Sequence, residues 1–414
     1  MKKLKVLHIN NYDKKGGAET VFNYTRKNLE GVENYSGFIK LDNNGDDPNI
    51  SFNNSKGNNK IINSLNYIYS FENKRKLLSF LKSHQIDIIH LHAFIYPLTP
   101  SILQAITWIK KKNKMKVIET LHGFHLVCPN LSLFNYKKNE LCNKCVGKHY
   151  KFFIFTDNCD GRNYFYSLLK GIKYFISDRL IKHKEIVDHF IAPSEFLRNK
   201  MIEDHIPREN ISIVRNPIII NKDELHYKKE NLICFFGRFT REKNIPFLLN
   251  AFIYWKKKNN NDFKLLLIGK GNEEILLKDI AKNSEFKNDI VIKEFLQKEN
   301  LINEIKRAKY FSMASKWYEN APMTIWESIS LNIIPIVPNF GGMKESIDIT
   351  GGIGKTYITN NIQSWSNILD ELESNYLNEY DNLIKLKNEI LTKYSLENYL
   401  LKIKEVYENQ LINI

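Results

Sequence analysis

No run of about 18 consecutive apolar residues occurs in the 414-residue chain, which argues against a membrane-spanning helix. The basic, briefly apolar start, "MKKLKVLHINNYDKKGGAE", lacks the long apolar core and small-residue cleavage site of a secretion signal. It reads as a first β-strand, and the protein is expected in the cytoplasm. Two nucleotide-binding signatures are also missing. The absence of a G-x-x-x-x-G-K-[ST] loop argues against a P-loop NTPase, and the absence of G-x-G-x-x-G disfavours a nicotinamide dehydrogenase. "IGKGNEE" (268–274) supplies only a Gly-x-Gly. There is no internal repeat of solenoid length, and the one long polar tract, "DNNGDDPNISFNNSKGNN" (42–59), reads as a mobile loop.

What is present describes a globular protein. Hydrophobic residues make up 43% and charged residues 26% of a chain long enough for two domains. Lys and Arg number 61 against 46 Asp and Glu, a formal net charge of +15. That balance favours anionic partners: nucleic acid, phosphorylated small molecules or an anionic membrane surface. Because the charge is spread along the chain, a Lys- and Asn-rich composition explains it equally well.

Short β-branched runs alternate with amphipathic ones, the pattern of a parallel sheet wrapped by helices. Strands are expected at 4–10, 86–93, 115–122 and 189–194, with helices at 18–30 and 100–112 between them. The alternation restarts with strands at 232–237 and 263–269 around a helix at 245–258. The reading is α/β: an N-terminal Rossmann-like domain over 1–214, with an irregular insertion at about 126–170, and a second such domain over 215–385. A helical segment, 386–414, packs back on the first domain. Two doubly wound domains facing one cleft would point their strand-end loops into it, because open α/β sheets bind ligands there.

Four sets of residues in those loops carry chemistry. Gly16 and Gly17 follow the first strand and open a helix, where backbone N–H groups approach an anion closely; an ordinary tight turn is the plain alternative. Arg238 and Lys243 flank a strand-to-helix corner in "FFGRFTREKN". Two cations there suit a diphosphate, Arg gripping bidentately and Lys acting as a point charge. In "WYENAPMTIWESIS", Pro322 suits the first turn of a helix, so Glu319 lies in the preceding loop and Glu327 inside the helix. Carboxylates present several acceptor sites to vicinal hydroxyls, so the pair suits a sugar and a ribose. Finally, Gly341 and Gly342 form a loop after a later strand.

"ENAPMTIWESISLNIIPIVPNFGGMKESI", with its E-x7-E spacing, resembles the donor-binding segment of the retaining GT-B glycosyltransferases of family 4. "GGAE", "LHGFH", "APSEFLRNKM", "VRNPI", "FFGRFTREKN" and "LLLIGKG" follow in that family's order over nearly the whole chain. The resemblance implies that Arg238 and Lys243 hold the donor diphosphate, that Glu319 contacts the donor sugar and that Glu327 contacts the ribose. It implies that Gly16, Gly17, Gly341 and Gly342 line the donor and that His122 stands beside the reacting sugar carbon. "VRNPI" departs from the pattern by lacking a glycine, which leaves Asn216 without an assigned role.

The chemistry so implied is transfer of a hexose, with retention, from a nucleotide sugar to a glycan or lipid-linked glycan in bacterial surface polysaccharide synthesis. UDP is the favoured base. Negative charge develops on the leaving phosphate, and Arg238 and Lys243 stabilise it. No Asp-x-Asp triplet is present to hold a metal on the diphosphate, so no catalytic cofactor is expected. A nucleotide-sugar epimerase or hydrolase of the same fold is the alternative, and a basic nucleic-acid-binding protein is a more distant one. The aromatic, basic segment 126–175, with Lys148 and Lys151, is expected to face an amphipathic acceptor at an anionic membrane surface or else to pack against its own domain.

Cys128, Cys142, Cys145 and Cys159 fall in the insertion, the middle pair as Cys-x-x-Cys. Two states fit them: ligands of a structural zinc, with His125 or His149 as substitute donors, or reduced cysteines clustered only in sequence.

Overall fold

The computed structural model describes residues 3–41, 46–54, 60–218 and 227–412. The chain forms two compact units, Met1–Pro217 with Leu396–Ile414, and Ile218–Ser395.

The strands of the first unit are β1 (Leu4–Tyr12), β2 (Val32–Ile39), β3 (Ile50–Ser51), β4 (Ile88–Leu91), β5 (Lys116–Thr120), β6 (Phe134–Asn135), β7 (Glu140–Leu141), β8 (His189–Ala192) and β9 (Ile211–Ile213). Seven of them form one sheet in the order β3-β2-β1-β4-β5-β8-β9, with parallel pairing throughout. β6 and β7 make a separate antiparallel hairpin. Helices cover both faces of a parallel sheet, so its central strands are buried on both sides and lose the apolar–polar alternation. β4 is buried at all four of its positions, including His90.

The second unit carries β10 (Glu230–Phe236), β11 (Lys264–Ile268), β12 (Ile290–Lys293), β13 (Ala308–Ser312), β14 (Ile334–Pro338) and β15 (Lys355–Tyr357), in the order β12-β11-β10-β13-β14-β15. Its core joins strand residues such as Leu265, Phe311 and Ile336 to Leu248, Phe252 and Trp365 on the covering helices. In both sheets the strand order reverses once, between β1 and β4 and between β10 and β13. Ligands of open α/β sheets bind at such reversals, outside the carboxyl ends of the strands.

The last helix, Leu396–Ile412, belongs to the first unit. It is held there by Tyr399 Oη against Thr25 Oγ1 at 2.7 Å and by Tyr407 Oη against His90 Nδ1 at 2.6 Å. Strand β2 escaped the sequence reading because "VENYSGFI" opens with polar residues and contains a glycine. The tract 42–59, read as one mobile loop, contains β3 among its described residues, paired to β2 through Gly37–Ile50 and Phe38–Ser51. Positions 42–45 and 55–59 of that tract, and 219–226 of the inter-domain connection, lie outside the described residues.

Candidate functional site

At the reversal of the second sheet, β10 ends in Gly237 and the chain runs through Arg238 into a 3-10 turn, Arg241–Lys243, and then the helix Ile245–Asn259. Gly237 has φ +152°, a region open to glycine, and its N–H donates to Ile268 O at 3.0 Å. The neighbouring β11 loop closes against it. A Cβ on Gly269 would lie 1.9 Å from Gly237 O, and one on Gly271 would lie 2.1 Å from Phe239 O. Arg238 stays largely exposed, 3.8 Å from Glu242, whose own side chain is buried.

The adjacent β13 delivers the carboxylate. After Ser312 the loop reaches Glu319, whose Oε1 accepts from Lys243 Nζ at 2.6 Å, Trp317 Nε1 at 2.7 Å and Ser315 Oγ at 2.9 Å. Burial pushes the Glu319 pKa up, but the Lys243 charge and these donors more than offset it and hold it below the usual carboxylate value. The third loop follows β14. Gly342 donates its N–H to Glu319 O at 2.8 Å, and a Cβ there would sit 1.8 Å from Asn320 O. Gly341 adopts φ +61° to make the turn.

Arg238, Lys243, Glu319, Gly341 and Gly342, far apart in sequence, therefore occupy adjoining strand-end loops of one sheet, and Lys243 and Glu319 touch directly. Glu327 lies one helix further on, in Met323–Ser330. It keeps an exposed face, while desolvation of its carboxyl raises its pKa against the opposing charge of Lys298. Ser315 and Trp317 were not anticipated. Their signal is two polar donors within four residues of a loop carboxylate.

The first unit has its own polar concentration at the β1/β4 reversal. Gly16 caps the helix Gly17–Asn28 with extended backbone, and a Cβ there would meet nothing closer than Glu19 Oε2 at 3.7 Å, so sterics do not demand glycine at that position. The Glu19 carboxylate accepts from the backbone N–H groups of Gly16 and of Glu19 itself, filling part of the helix N-terminus that the sequence offers to an anion. His122, just beyond β5, meets His92 Nδ1 through its Nε2 at 3.3 Å. Burial, with His125 adding to it and Glu119 opposing, pulls its pKa down to about 4, so the imidazole is neutral at pH 7. At the end of β1 and just beyond β4 lie buried polar atoms with no hydrogen-bond partner among the described residues: Asn10 Oδ1, Asn11 Oδ1, Asp13 Oδ2 and, beside His122, His92 Nε2. The sequence reading ended the strand at residue 10 and took 10–17 as a ligand-facing loop, without singling out Asn10, Asn11 or Asp13, whereas β1 continues to Tyr12. Unpaired buried acceptors are costly, and their concentration at a ligand-binding reversal marks a place prepared for polar groups.

Two readings of the insertion need correction. His125, offered as a substitute metal donor, turns its Nε2 to within 2.7 Å of Glu119 Oε1, though neither atom has a hydrogen bond among the described residues, and His183 Nε2 bonds Glu119 Oε2 at 2.8 Å. His149 lies against Arg179 Nη1 at 3.1 Å. Lys151 is not a surface charge. It is buried, ion-paired with Asp204, and donates to Cys145 O at 2.6 Å, because the short stem of the insertion is pinned to Asp204. Lys148 is exposed. Tyr150, Phe152, Tyr164, Phe165, Ile172 and Phe175 are also exposed.

Two family models match the chain: "Glycosyltransferase Family 4" over residues 16–222 and "Glycosyl transferases group 1" over 218–389. A glycogen synthase of Aquifex aeolicus is 29% identical over 128 residues, 30% of this chain and 26% of that protein, so the similarity spans about a quarter of that relative. Among solved structures, a glycosyltransferase of Rickettsia africae is similar at TM-score 0.68 and 18% identity, over 100% of both chains. Anabaena HepE in complex with UDP is similar at TM-score 0.67 and 13% identity, over 98% of this chain and 100% of that one. The lipopolysaccharide outer core galactosyltransferase WaaB is similar at TM-score 0.64 and 16% identity, with the same coverage.

Proposed function

The chain belongs to the family 4 glycosyltransferases and has the GT-B fold of two Rossmann-like domains, and from that premise we propose that it moves a hexose from a UDP-sugar, with retention, to a lipid-linked glycan. The observation that carries the donor assignment is the Lys243–Glu319 contact at the β10/β13 reversal, with Ser315 and Trp317 fixing the carboxylate. In our reading Arg238 and Lys243 take the donor diphosphate and stabilise the charge that builds on the leaving oxygens. Glu319 keeps Oε1 for its protein donors and offers Oε2 to the sugar hydroxyls. Glu327 takes the ribose, and Gly341 and Gly342 let the donor approach the backbone. Neutral His122 is assigned to the reacting sugar carbon and Gly16 and Gly17 to the donor diphosphate, and the unpartnered oxygens of Asn11 and Asp13 are assigned to the acceptor. The leaving phosphate takes the acceptor proton on the same face, and no metal is assigned to the transfer.

UDP is favoured on the likeness to HepE, which was solved with UDP and with UDP-glucose. A surface-polysaccharide acceptor is favoured on the likeness to WaaB, a lipopolysaccharide galactosyltransferase. The exposed aromatics of 150–175, with Lys148 and Arg179 beside them, support peripheral attachment to an anionic leaflet. No helix among the described residues is long and apolar enough to cross a membrane.

The test is a panel of UDP- and GDP-sugars scored for thermal protection, since a ligand raises stability by mass action. Transfer from the best binder to membrane-extracted acceptors follows, with the anomeric configuration read by NMR. Protection by no nucleotide sugar would end the reading. Release of free sugar at the same rate with and without acceptor would favour the hydrolase or epimerase alternative.

A further inference from the structure

The insertion between β5 and the helix Tyr164–Phe175 is the least regular part of the first unit, and it contains four of the five cysteines, all reduced. It folds around them. After Cys128 the chain turns tightly, with Leu131 N donating to Cys128 O at 2.8 Å. Leu131 and Leu133 take φ +71° and +50°, which non-glycine residues adopt only under constraint. The turn aims three backbone N–H groups, of Asn130, Ser132 and Leu133, at the Cys128 sulfur. Through the β6–β7 hairpin Cys142 then returns, its N–H on Leu133 O at 2.9 Å. Three residues later Cys145 follows, and Gly147 at φ +68° turns the chain away. Cys159 completes the set. Its sulfur faces Asn135 Nδ2 at 3.9 Å, and its carbonyl is tied to Asn130 Nδ2 at 2.9 Å and Tyr136 N at 3.1 Å.

Cys128, Cys145 and Cys159 are buried, and Cys145 is within electrostatic reach of all three other thiols. Lys151, Lys144 and Lys170 act on Cys145, Cys159 and Cys128 in turn. As thiolates, four sulfurs gathered in one largely buried insertion repel one another, and a cation among them would offset that charge. Three N–H donors converging on one sulfur suit an anion, as in the hydrogen bonding that orients metal-bound sulfur. The three lysines near the set are each also paired with a carboxylate, Lys151 with Asp204, Lys144 with Asp157 and Lys170 with Asp160.

We propose that Cys128, Cys142, Cys145 and Cys159 bind one zinc ion that fixes the insertion. Binding releases the four thiol protons and forms four Zn–S bonds, each about 2.3 Å. Two other sets of three potential ligand atoms lie within 4.8 Å of one another, His8/His90/His92 and Glu119/His125/His183, and the four thiols are not drawn that close. Coordination would pull them inward. The two closer sets lack thiolates and are partly committed: Glu119 Oε2 bonds His183, and both His90 ring nitrogens are bonded, to Tyr407 Oη and to Thr120 Oγ1, while Glu119 Oε1, His125 Nε2, His8 Nδ1 and His92 Nε2 have no hydrogen bond among the described residues.

The experiment uses the full chain, purified under reducing conditions without added metal. Metal analysis should return about one zinc per chain, and an organomercurial should release it. Anaerobic exchange with cobalt should give the thiolate-to-metal charge-transfer band and visible d–d bands of a tetrahedral all-sulfur site. Cys234→Ser, which alters a core strand outside the set, should keep the zinc, and Cys142→Ser and Cys145→Ser should each lose it. If those two variants do not fold, the cobalt spectrum of the unaltered protein decides. Zinc well below one equivalent even after reconstitution, iron in its place, or all four thiols free to react with a thiol reagent in the native protein would each overturn the proposal.

Discussion

Glu319→Gln removes one charge from the β13 loop and keeps the shape of the side chain. The amide oxygen still faces Ser315, Trp317 and Lys243, but each bond loses its charge assistance. A hydrogen bond to a charged group contributes roughly 1.5–3 kcal/mol and a neutral one roughly 0.5–1.5, so the Ser315 and Trp317 bonds together lose about 2 kcal/mol. Lys243, mostly buried, is left without its counter-charge. The gross attraction at 2.6 Å and an effective dielectric of about 20 is about 6 kcal/mol, most of it offset by the cost of desolvating the pair. The expected net loss is therefore about 2–3 kcal/mol of stability at pH 7, read as a lower urea midpoint at unchanged slope. The pH dependence has a definite sign. The folded pKa of Glu319 lies below its ordinary 4.5, so its contribution is full above that pH and disappears as pH falls through the folded value. The gap between wild type and variant should narrow accordingly. Transfer activity should fall by about 10²–10³-fold. Equal urea midpoints at pH 7, or a gap that widens in acid, would refute the electrostatic reasoning, and full activity would remove Glu319 from the donor site.

Gly342→Ala places a methyl 1.8 Å from Asn320 O, and should cost about 1–3 kcal/mol and most of the activity, since the shifted segment carries Glu319. Thermal melts and transfer assays check this. Lys173 is buried with Nζ over the rings of Tyr67 and Tyr96, at 3.8 and 4.3 Å, and makes no hydrogen bond among the described residues. Lys173→Met should therefore keep or raise the melting temperature, and a fall of several degrees would show that the amine has a partner. Burial lowers the pKa values of His8 and His122 to about 4 and those of His90 and His92 well below 6.5. Unfolding near pH 5 should then take up about three to four protons, and stability should decline from about pH 6.5 downward. A stability profile flat between pH 7 and 5 would contradict this.

The parts of the fold legible in the sequence are those governed by local pattern. β10, β11 and the helix Ile245–Asn259 announce themselves because a doubly buried strand is a continuous apolar run and its covering helix is amphipathic. The Arg238, Lys243 and Glu319 loops were legible for the converse reason, charge placed where an apolar strand ends. Their pairing was not. Lys243 and Glu319 are 76 positions apart, and only the β10/β13 adjacency joins them. The burial of Lys151 was equally hidden, because its partner Asp204 lies 53 positions away in another element. The unpartnered Asn11 Oδ1 and Asp13 Oδ2 were hidden because burial depends on neighbours the local sequence does not contain. β2 had too little apolar pattern to be read at all.

The glycine contacts of the second unit have a bearing on how this enzyme could be altered. Gly269 against Gly237 O, Gly271 against Phe239 O, and Gly342 against Asn320 O interlock the loops after β10, β11, β13 and β14 through main-chain atoms. A scaffold joined by its backbone tolerates exchange of the side chains it displays. Laboratory evolution toward a new sugar should therefore leave the three glycines fixed and draw its successful changes from the side chains between them. A related enzyme with a different sugar preference should carry the same interlock.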